Sequence, residues 1–307
     1  MLQRSDLDFF ATLAHAVSLA AAARELNVTP SAVTQRLQEL ERRVGVRLID
    51  RSSRRLLLTD EGELLAARGR DISSALAALG DELAARRDVV TGHLRVLAPL
   101  GFGRAHVAPV LGAFAAEHPD VTVELSLSDR LGRVPETAWD LAIHIGARRD
   151  VSLAVRRLAP NDRVLCAAPS YLAHAGVPET PKQLHTHRCI ALRENDEDVT
   201  LWRFTSPGGS VSQVRIDPAM ATNDGDVVRA WALAGRGIAM RSEWSIADDL
   251  RSGRLLRVLP EHRLPSADVV ALIGPRRGRS ARTARFLATL VDPLTPVPWR
   301  MSTDAPR

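Results

Sequence analysis

Ser18 to Arg51 reads S-L-A-A-A-A-R-E-L-N-V-T-P-S-A-V-T-Q-R-L-Q-E-L-E-R-R-V-G-V-R-L-I-D-R, and this stretch decides the fold of the N-terminal part. Ser18 is placed to cap a short helix, Leu19 to Leu26, because its hydroxyl can accept a free N–H of the first turn. Ala20 to Ala23 make that helix thin enough for another to approach closely. Asn27-Val28 ends it. Thr29 caps the next helix, and Pro30 suits its first turn, where a missing N–H costs nothing. This third helix runs from about Ser31 to Val44, and Gly45 stops it. Val33, Leu37, Leu40 and Val44 give it one apolar face. The other face carries Ser31, Thr34, Gln35, Arg36 and Gln38, hydrogen-bonding groups of the kind that read base edges when a helix N-terminus enters the major groove.

Working outward, Asp6 to Ala16 predicts a first helix with Leu7, Phe10, Leu13 and Ala14 on one side. On the far side, Val46 to Leu58 alternates weakly and predicts a two-stranded wing turning at Ser52-Ser53. Between Arg42 and Arg55 stand six arginines and one acid, Asp50. Residues 1–91 as a whole hold 13 arginines against 13 acids, so positive charge is focused on the wing, where Arg51, Arg54 and Arg55 are placed for phosphate. The whole-chain charge of +5 over 307 residues says much less.

The stretch Ser18 to Arg51, with L-L-L-T-D-E-G (Leu56 to Gly62) after it, resembles the head of the bacterial LysR-type transcriptional regulators. Leu19 stands where that family more often has Phe, a packing change. The resemblance implies a winged helix-turn-helix at 1–58, a linker and dimerisation helix at 59–90, a two-lobed α/β effector domain similar to periplasmic binding proteins, and a tail at 295–307. Lobe I would comprise 91–163 and 267–294, and lobe II 164–266. The expected class is therefore α plus α/β, and the resemblance reaches to about Leu294.

The residues support that outline independently. Thr59 to Glu63 is a helix start, with a hydroxyl cap and acids in the first turn. Leu65, Ile72, Leu76, Leu79 and Leu83 contain a 4-3-4 run, the period of a coiled-coil seam, which predicts a homodimer through the 59–87 helix. From His93 onward, strand-like and helix-like segments alternate, as in an α/β body with a largely parallel sheet. Pro99 to Gly103 reads as a loop before a helix at Arg104 to Glu117; further strands are expected near Leu201 and Val211. The chain is expected to cross between lobes near Arg163 and Ser266.

A ligand would lie where strand ends and helix N-termini converge, since free N–H groups favour carboxylates. Pro99, Leu100, Gly101 and Phe102 form one candidate wall, and Thr222, Asn223 and Asp224 another. By resemblance, Ser128, His144 and Gly146 line lobe I, and Arg193 and Asn195 come from lobe II. An arginine there suits an anionic effector. The resemblance implies these partners: double-stranded operator DNA with an interrupted palindrome, a small effector that is a candidate carboxylate, RNA polymerase, and a second copy of the chain, extending to a homotetramer.

No cofactor and no metal is expected, and no catalysis. Phosphate loop, dinucleotide, nucleophile-elbow and H-E-x-x-H motifs are missing. His185, His187 and Cys189 lie close in sequence but read as a polar turn. No apolar run approaches the length of a membrane span, and no signal-like core follows the N-terminus, so the expected place is the cytoplasm. That weighs against a solute-binding protein of periplasmic type. A redox-responsive regulator using Cys166 and Cys189 is the other alternative, although V-L-C-A-A around Cys166 reads as a buried strand. Arg276, Arg277, Arg279, Arg282 and Arg285 make the closing helix basic, which reads as a solvated face.

Overall fold

The computed structural model describes residues 2–50, 56–85, 90–128, 130, 132, 134–146, 153–194, 199–274 and 280–301. The chain divides into two compact units, Met1–Leu83 and Ala84–Arg307.

The first unit contains α1 (Arg4–His15), α2 (Leu19–Glu25), α3 (Pro30–Val44), the short antiparallel strands β1 (Ile49–Asp50) and β2 (Leu57–Leu58), and α4 (Asp60–Ala85), which continues past the unit's end. The caps are those the side chains allow. Ser18 accepts from the Ala21 N–H at 3.1 Å, and Thr29 from the Ala32 N–H at 3.3 Å. Gly45 closes α3 at φ 77°, a left-handed conformation that glycine reaches without strain. Phe10, Leu13, Ala22, Ala23, Val33, Leu37 and Leu40 pack into one core.

Two buried carboxylates fasten this core to its edges. Glu41 Oε1 accepts the N–H groups of Leu48 and Ile49, at 2.9 and 3.4 Å, and so fixes the start of the wing. Asp6 accepts two hydrogen bonds from the Arg43 guanidinium, at 2.8 and 2.9 Å, tying α1 to the end of α3. Thr59 donates its hydroxyl to the Arg47 carbonyl at 2.7 Å and accepts the Gly62 N–H at 3.0 Å. A Cβ on Gly62 would lie 2.1 Å from the Leu48 carbonyl oxygen, so only glycine lets α4 start this close to the wing. The predicted wing turn at Ser52-Ser53 lies outside the described residues.

The second unit has two five-stranded sheets. One takes β3 (Gly92–Ala98), β4 (Val121–Leu127), β5 (Leu141–Ile145), β6 (Ala154–Ala159) and β14 (Val269–Ile273) in the order β4-β3-β5-β14-β6. The other takes β7 (Arg163–Ala167), β8 (Cys189–Leu192), β11 (Pro218–Thr222), β12 (Ile238–Ser242) and β13 (Leu256–Val258) in the order β11-β8-β12-β7-β13. Both are mixed rather than largely parallel: β14 runs antiparallel to β5 and β6, and β7 antiparallel to β12 and β13. The strands expected near Leu201 and Val211, β9 (Leu201–Thr205) and β10 (Val211–Arg215), leave the sheet and pair with each other as an antiparallel hairpin, and Thr205 of β9 also bridges to Arg263.

In lobe I, Leu94, Val96, Phe114, Ile143, Phe286 and Leu290 belong to one core between the sheet, α6 (Ala108–Glu117) and α10 (Ala281–Val291). Lobe II has a core on each face of its sheet, one around Leu165, Trp202 and Phe204 and one around Cys166, Val228 and Ile246. Its helices are α7 (Pro169–Ala175), α8 (Gly225–Leu233) and α9 (Glu243–Arg251).

Two further sequence expectations need correction. Pro99 to Gly103 is not a loop. Pro99 precedes α5 (Leu100–Phe102), and the helical path runs on through a π-helical turn, Gly103–Val107, into α6. Gly103 is there for packing, since a Cβ would meet Leu127 Cδ2 at 2.3 Å. On the closing helix, Arg282 does not face solvent. It is buried and donates to the carbonyls of His93 and Thr91, at 2.9 and 3.4 Å. Arg276, Arg277 and Arg279 lie outside the described residues, while Arg285 is exposed.

The lobes are joined at Asn161, which is wholly buried between β6 and β7. Its Nδ2 donates to the Ala267 carbonyl at 2.8 Å, its carbonyl accepts the Ala267 N–H at 3.1 Å, and its Oδ1 accepts the Trp244 N–H at 3.2 Å. One amide thus holds both crossing segments and the start of α9.

Candidate functional sites

The first site is the outer face of α3. Gln35 and Gln38 are exposed, and neither side chain has a hydrogen-bond partner among the described residues. Ser31 is exposed beside Thr29, with the hydroxyls 3.0 Å apart, and the half-buried Thr34 returns its hydroxyl to the Pro30 carbonyl at 3.0 Å. These four residues share the N-terminal part of one helix face.

Arg36 is engaged elsewhere. Its guanidinium lies 4.5 Å from the Phe9 ring centroid and donates to the Ser5 carbonyl at 2.8 Å, which fastens α3 to α1. Arg51, Arg54 and Arg55 lie outside the described residues.

α4 carries a second feature of this unit. Ile72, Leu76 and Leu79 are each at least 45% exposed, a row of apolar side chains at the predicted seam positions left uncovered by the described residues. Leu65 departs from the seam and packs on the head core, while the side chain of Leu83 lies outside the described residues.

The second site is a cleft of about 170 Å³ between the lobes. Pro99, Leu100, Gly101, Phe102 and Ser128 line it from lobe I. The other predicted residues miss it, several by one position. On β5 the lining residue is Ile145, because strand alternation turns its neighbour His144 to the other face. Glu194 lines it in place of Arg193, whose N–H is spent on the Thr222 carbonyl at 2.7 Å. Gly225 lines it in place of Asp224, which caps α8 by accepting the N–H groups of Asp226 and Val227. The Thr222 hydroxyl accepts the Asp224 N–H at 3.2 Å, and Asn223 stands outside the lining with it. Gly146, at φ 105°, donates its N–H to the Asp268 carbonyl and leaves the wall to Arg163. Asn195 lies outside the described residues.

Sequence reasoning missed Arg163, Arg241 and Trp244, and also Leu201, Trp202 and Arg203 of the β9–β10 hairpin. Nothing local marks them, since each sits in an ordinary strand or at the start of a helix. The two lobes also touch across this region. Arg104 Nη2 hydrogen-bonds Asp226 and lies 3.6 Å from Asp224, linking the π-helical turn of lobe I to the start of α8. Burial alone would raise the Asp224 pKa. The two N–H groups of α8 and Arg104 outweigh it and hold the carboxyl below its usual range.

Cys166 and Cys189 are both buried, and burial pushes each thiol up to about 12. Such groups stay protonated and inaccessible, the opposite of a sensor thiol. His187 Nδ1 lies 3.2 Å from the Tyr171 hydroxyl, while Cys189 Sγ turns inward to the Leu184 carbonyl. No helix among the described residues is long and apolar enough to cross a membrane.

A winged helix-turn-helix on a long helix, in one chain with a two-lobed body around a small cleft, defines a ligand-responsive DNA-binding regulator. Family models agree for both parts: residues 5–63 match the bacterial regulatory helix-turn-helix protein, lysR family, and residues 87–294 match the LysR substrate binding domain. The chain belongs to the LysR family of transcriptional regulators. It is similar to the HTH-type transcriptional regulator DmlR of Escherichia coli (strain K12), 35% identical over 286 residues, 92% of each protein. It is also similar to the HTH-type transcriptional activator TtdR of the same strain, 33% identical over 257 residues, 84% of this chain and 83% of TtdR. CrgA, a LysR-type regulator from Neisseria meningitidis, superimposes with a TM-score of 0.60 at 26% identity, covering 96% of this chain and 99% of CrgA. The Vibrio cholerae virulence activator AphB shares the fold, with a TM-score of 0.62 at 24% identity, covering 94% of this chain and 98% of AphB. The relatives are named as regulators, and this chain is a regulator rather than an enzyme. Its head binds DNA and its body takes a small-molecule effector.

Proposed function

We propose that the protein acts in the cytoplasm as a dimer joined along α4, associating further into a homotetramer, and grips an interrupted palindromic operator beside a promoter. Ser31, Thr34, Gln35 and Gln38 read base edges, and the wing arginines Arg51, Arg54 and Arg55 hold phosphates. A small anionic organic effector, a carboxylate, enters the cleft, changes how the dimers are arranged, and so alters the DNA bend and the contact with RNA polymerase. The observation that carries this reading is the pairing, in one chain, of an exposed glutamine face on α3 with a cleft lined by Arg163 and Arg241.

A footprint on the DNA upstream of the chain's own gene tests it, run with and without small organic acids that raise the melting temperature. A ligand that binds the folded state stabilises it by mass action, so an effector should shift melting and footprint over the same concentration range. Absence of a salt-sensitive specific footprint, or a footprint unmoved by every stabilising acid, would refute the reading.

A further inference from the structure

Two donors of the cleft lining are buried without an acceptor among the described residues. Arg241, on β12, is 5% exposed and lines the cleft, yet its Nε has no acceptor among the described residues. The indole N–H of Trp244, at the start of α9 and also in the lining, is buried and equally without an acceptor among them. A buried donor left unsatisfied costs about 1–3 kcal/mol, so this wall favours a ligand that brings acceptors.

Arg241 is held in an unusual seat. A Cβ on Gly225, the first residue of α8, would lie 2.4 Å from Nη2, 2.8 Å from Nη1 and 2.9 Å from Cζ. The guanidinium therefore fills the space that any other residue at 225 would claim, directly at a helix N-terminus. Nearby acids do not neutralise it fully. Asp224 and Asp226 are engaged by Arg104 and, for Asp224, by N–H groups of α8, while Glu194 acts on Arg241 through charge. Burial draws the guanidinium pKa below its ordinary value, the mark of a charge short of compensation, although arginine stays protonated.

Leu100, Phe102, Ile190, Trp202, Met240 and Trp244 give the same space an apolar side, beside a polar one that holds Arg163, Glu194 and Arg203. At about 170 Å³ the cleft is smaller than the ~300–1,000 Å³ usual for drug-sized ligands. We propose that Arg241, seated against Gly225, is the anchor of the effector's carboxylate, and that the effector is a small carboxylate on an apolar body. This rests on reading the cleft as the effector site.

Calorimetric titration of the full chain with benzoate, benzamide and succinate tests the proposal. Benzoate should bind, its neutral amide should not, and succinate, which lacks an apolar body, should bind at least tenfold more weakly. Arg241→Gln and Gly225→Ala should each weaken benzoate at least tenfold, the second by displacing the same guanidinium from the other side. Arg241→Lys should recover part of the loss, which a merely misfolded lobe would not permit. Absence of benzoate binding, equal binding of benzamide, tighter binding of succinate, or unchanged affinity in Arg241→Gln would each overturn it. The two readings fail separately. A carboxylate held through Arg241 that leaves the operator footprint unchanged sinks the effector role and spares the anchor. A ligand that moves the footprint equally in wild type and Arg241→Gln sinks the anchor and spares the effector role.

Discussion

Gln35 and Arg36 are adjacent in sequence and part company in space. Gln35 is free on the exposed face of α3, whereas Arg36 is bound to the Ser5 carbonyl and the Phe9 ring. Their substitutions should therefore separate. Gln35→Ala should reduce discrimination between operator and random DNA by about 1–3 kcal/mol, the worth of a good base contact, with little change in melting temperature. Arg36→Ala should instead lower head stability by about 1 kcal/mol through the lost ring contact and hydrogen bond. Competitive gel shift and thermal unfolding read the two effects, and an unchanged specificity ratio in Gln35→Ala would remove it from base reading. Asp6 gives a residue-scale prediction in pH. Its burial favours the neutral acid, but the N–H of Gln3 and the Arg43 guanidinium outweigh that and hold its pKa below the usual 3.8. A depressed folded pKa stabilises the fold above the unfolded value and loses that contribution as pH falls through the folded one. Unfolding followed from pH 6 down to 2 should show Asp6→Asn less stable than wild type at the upper end, with the gap narrowing below about pH 4.

At the scale of elements, α4 is the piece whose sequence pattern and environment disagree most. Ile72, Leu76 and Leu79 follow an apolar period yet remain 51%, 45% and 55% exposed. A helix in water gains little from such a row unless a second surface covers it. Leu76→Asp together with Leu79→Asp should convert a dimer to a monomer in sedimentation at micromolar concentration and weaken operator binding at least tenfold. A double variant that sediments as wild type would dismiss the seam. The π-helical turn shows the opposite relation between pattern and element. Pro99 and the glycines look like a loop in sequence, but Gly103 is required by Leu127 and the helix runs through it.

At the scale of the whole molecule, the crossing at Asn161 holds one side chain that serves both segments between the lobes. Asn161→Ala leaves the Ala267 carbonyl and the Trp244 N–H without their side-chain partner. Each such orphan costs about 1–3 kcal/mol, so the second unit should lose at least ~2 kcal/mol in urea unfolding. An unchanged midpoint would show that the crossing is held by other contacts.

The sequence by itself determined what depends on neighbours along the chain. Caps at Ser18 and Thr29, the stop at Gly45 and the apolar face of α3 are consequences of spacings within one or two helical turns, so they could be read directly. It also marked Pro99 to Phe102 as a cleft wall, because a glycine-bearing segment between a strand and a helix is a local pattern, while the β9–β10 hairpin and the junction of β12 with α9 carry no such mark. What only the tertiary structure decided was which residue of each segment faces the cleft. Ile145 rather than His144, Glu194 rather than Arg193, and Gly225 rather than Asp224 were settled by one-residue differences in strand register and helix start. Side chains alternate across a strand, so a single step reverses the answer, and no local signal fixes that step. Arg241 is the extreme case. Its strand looks ordinary, and it becomes the cleft's candidate anchor only because Gly225, sixteen residues earlier, leaves room for its guanidinium.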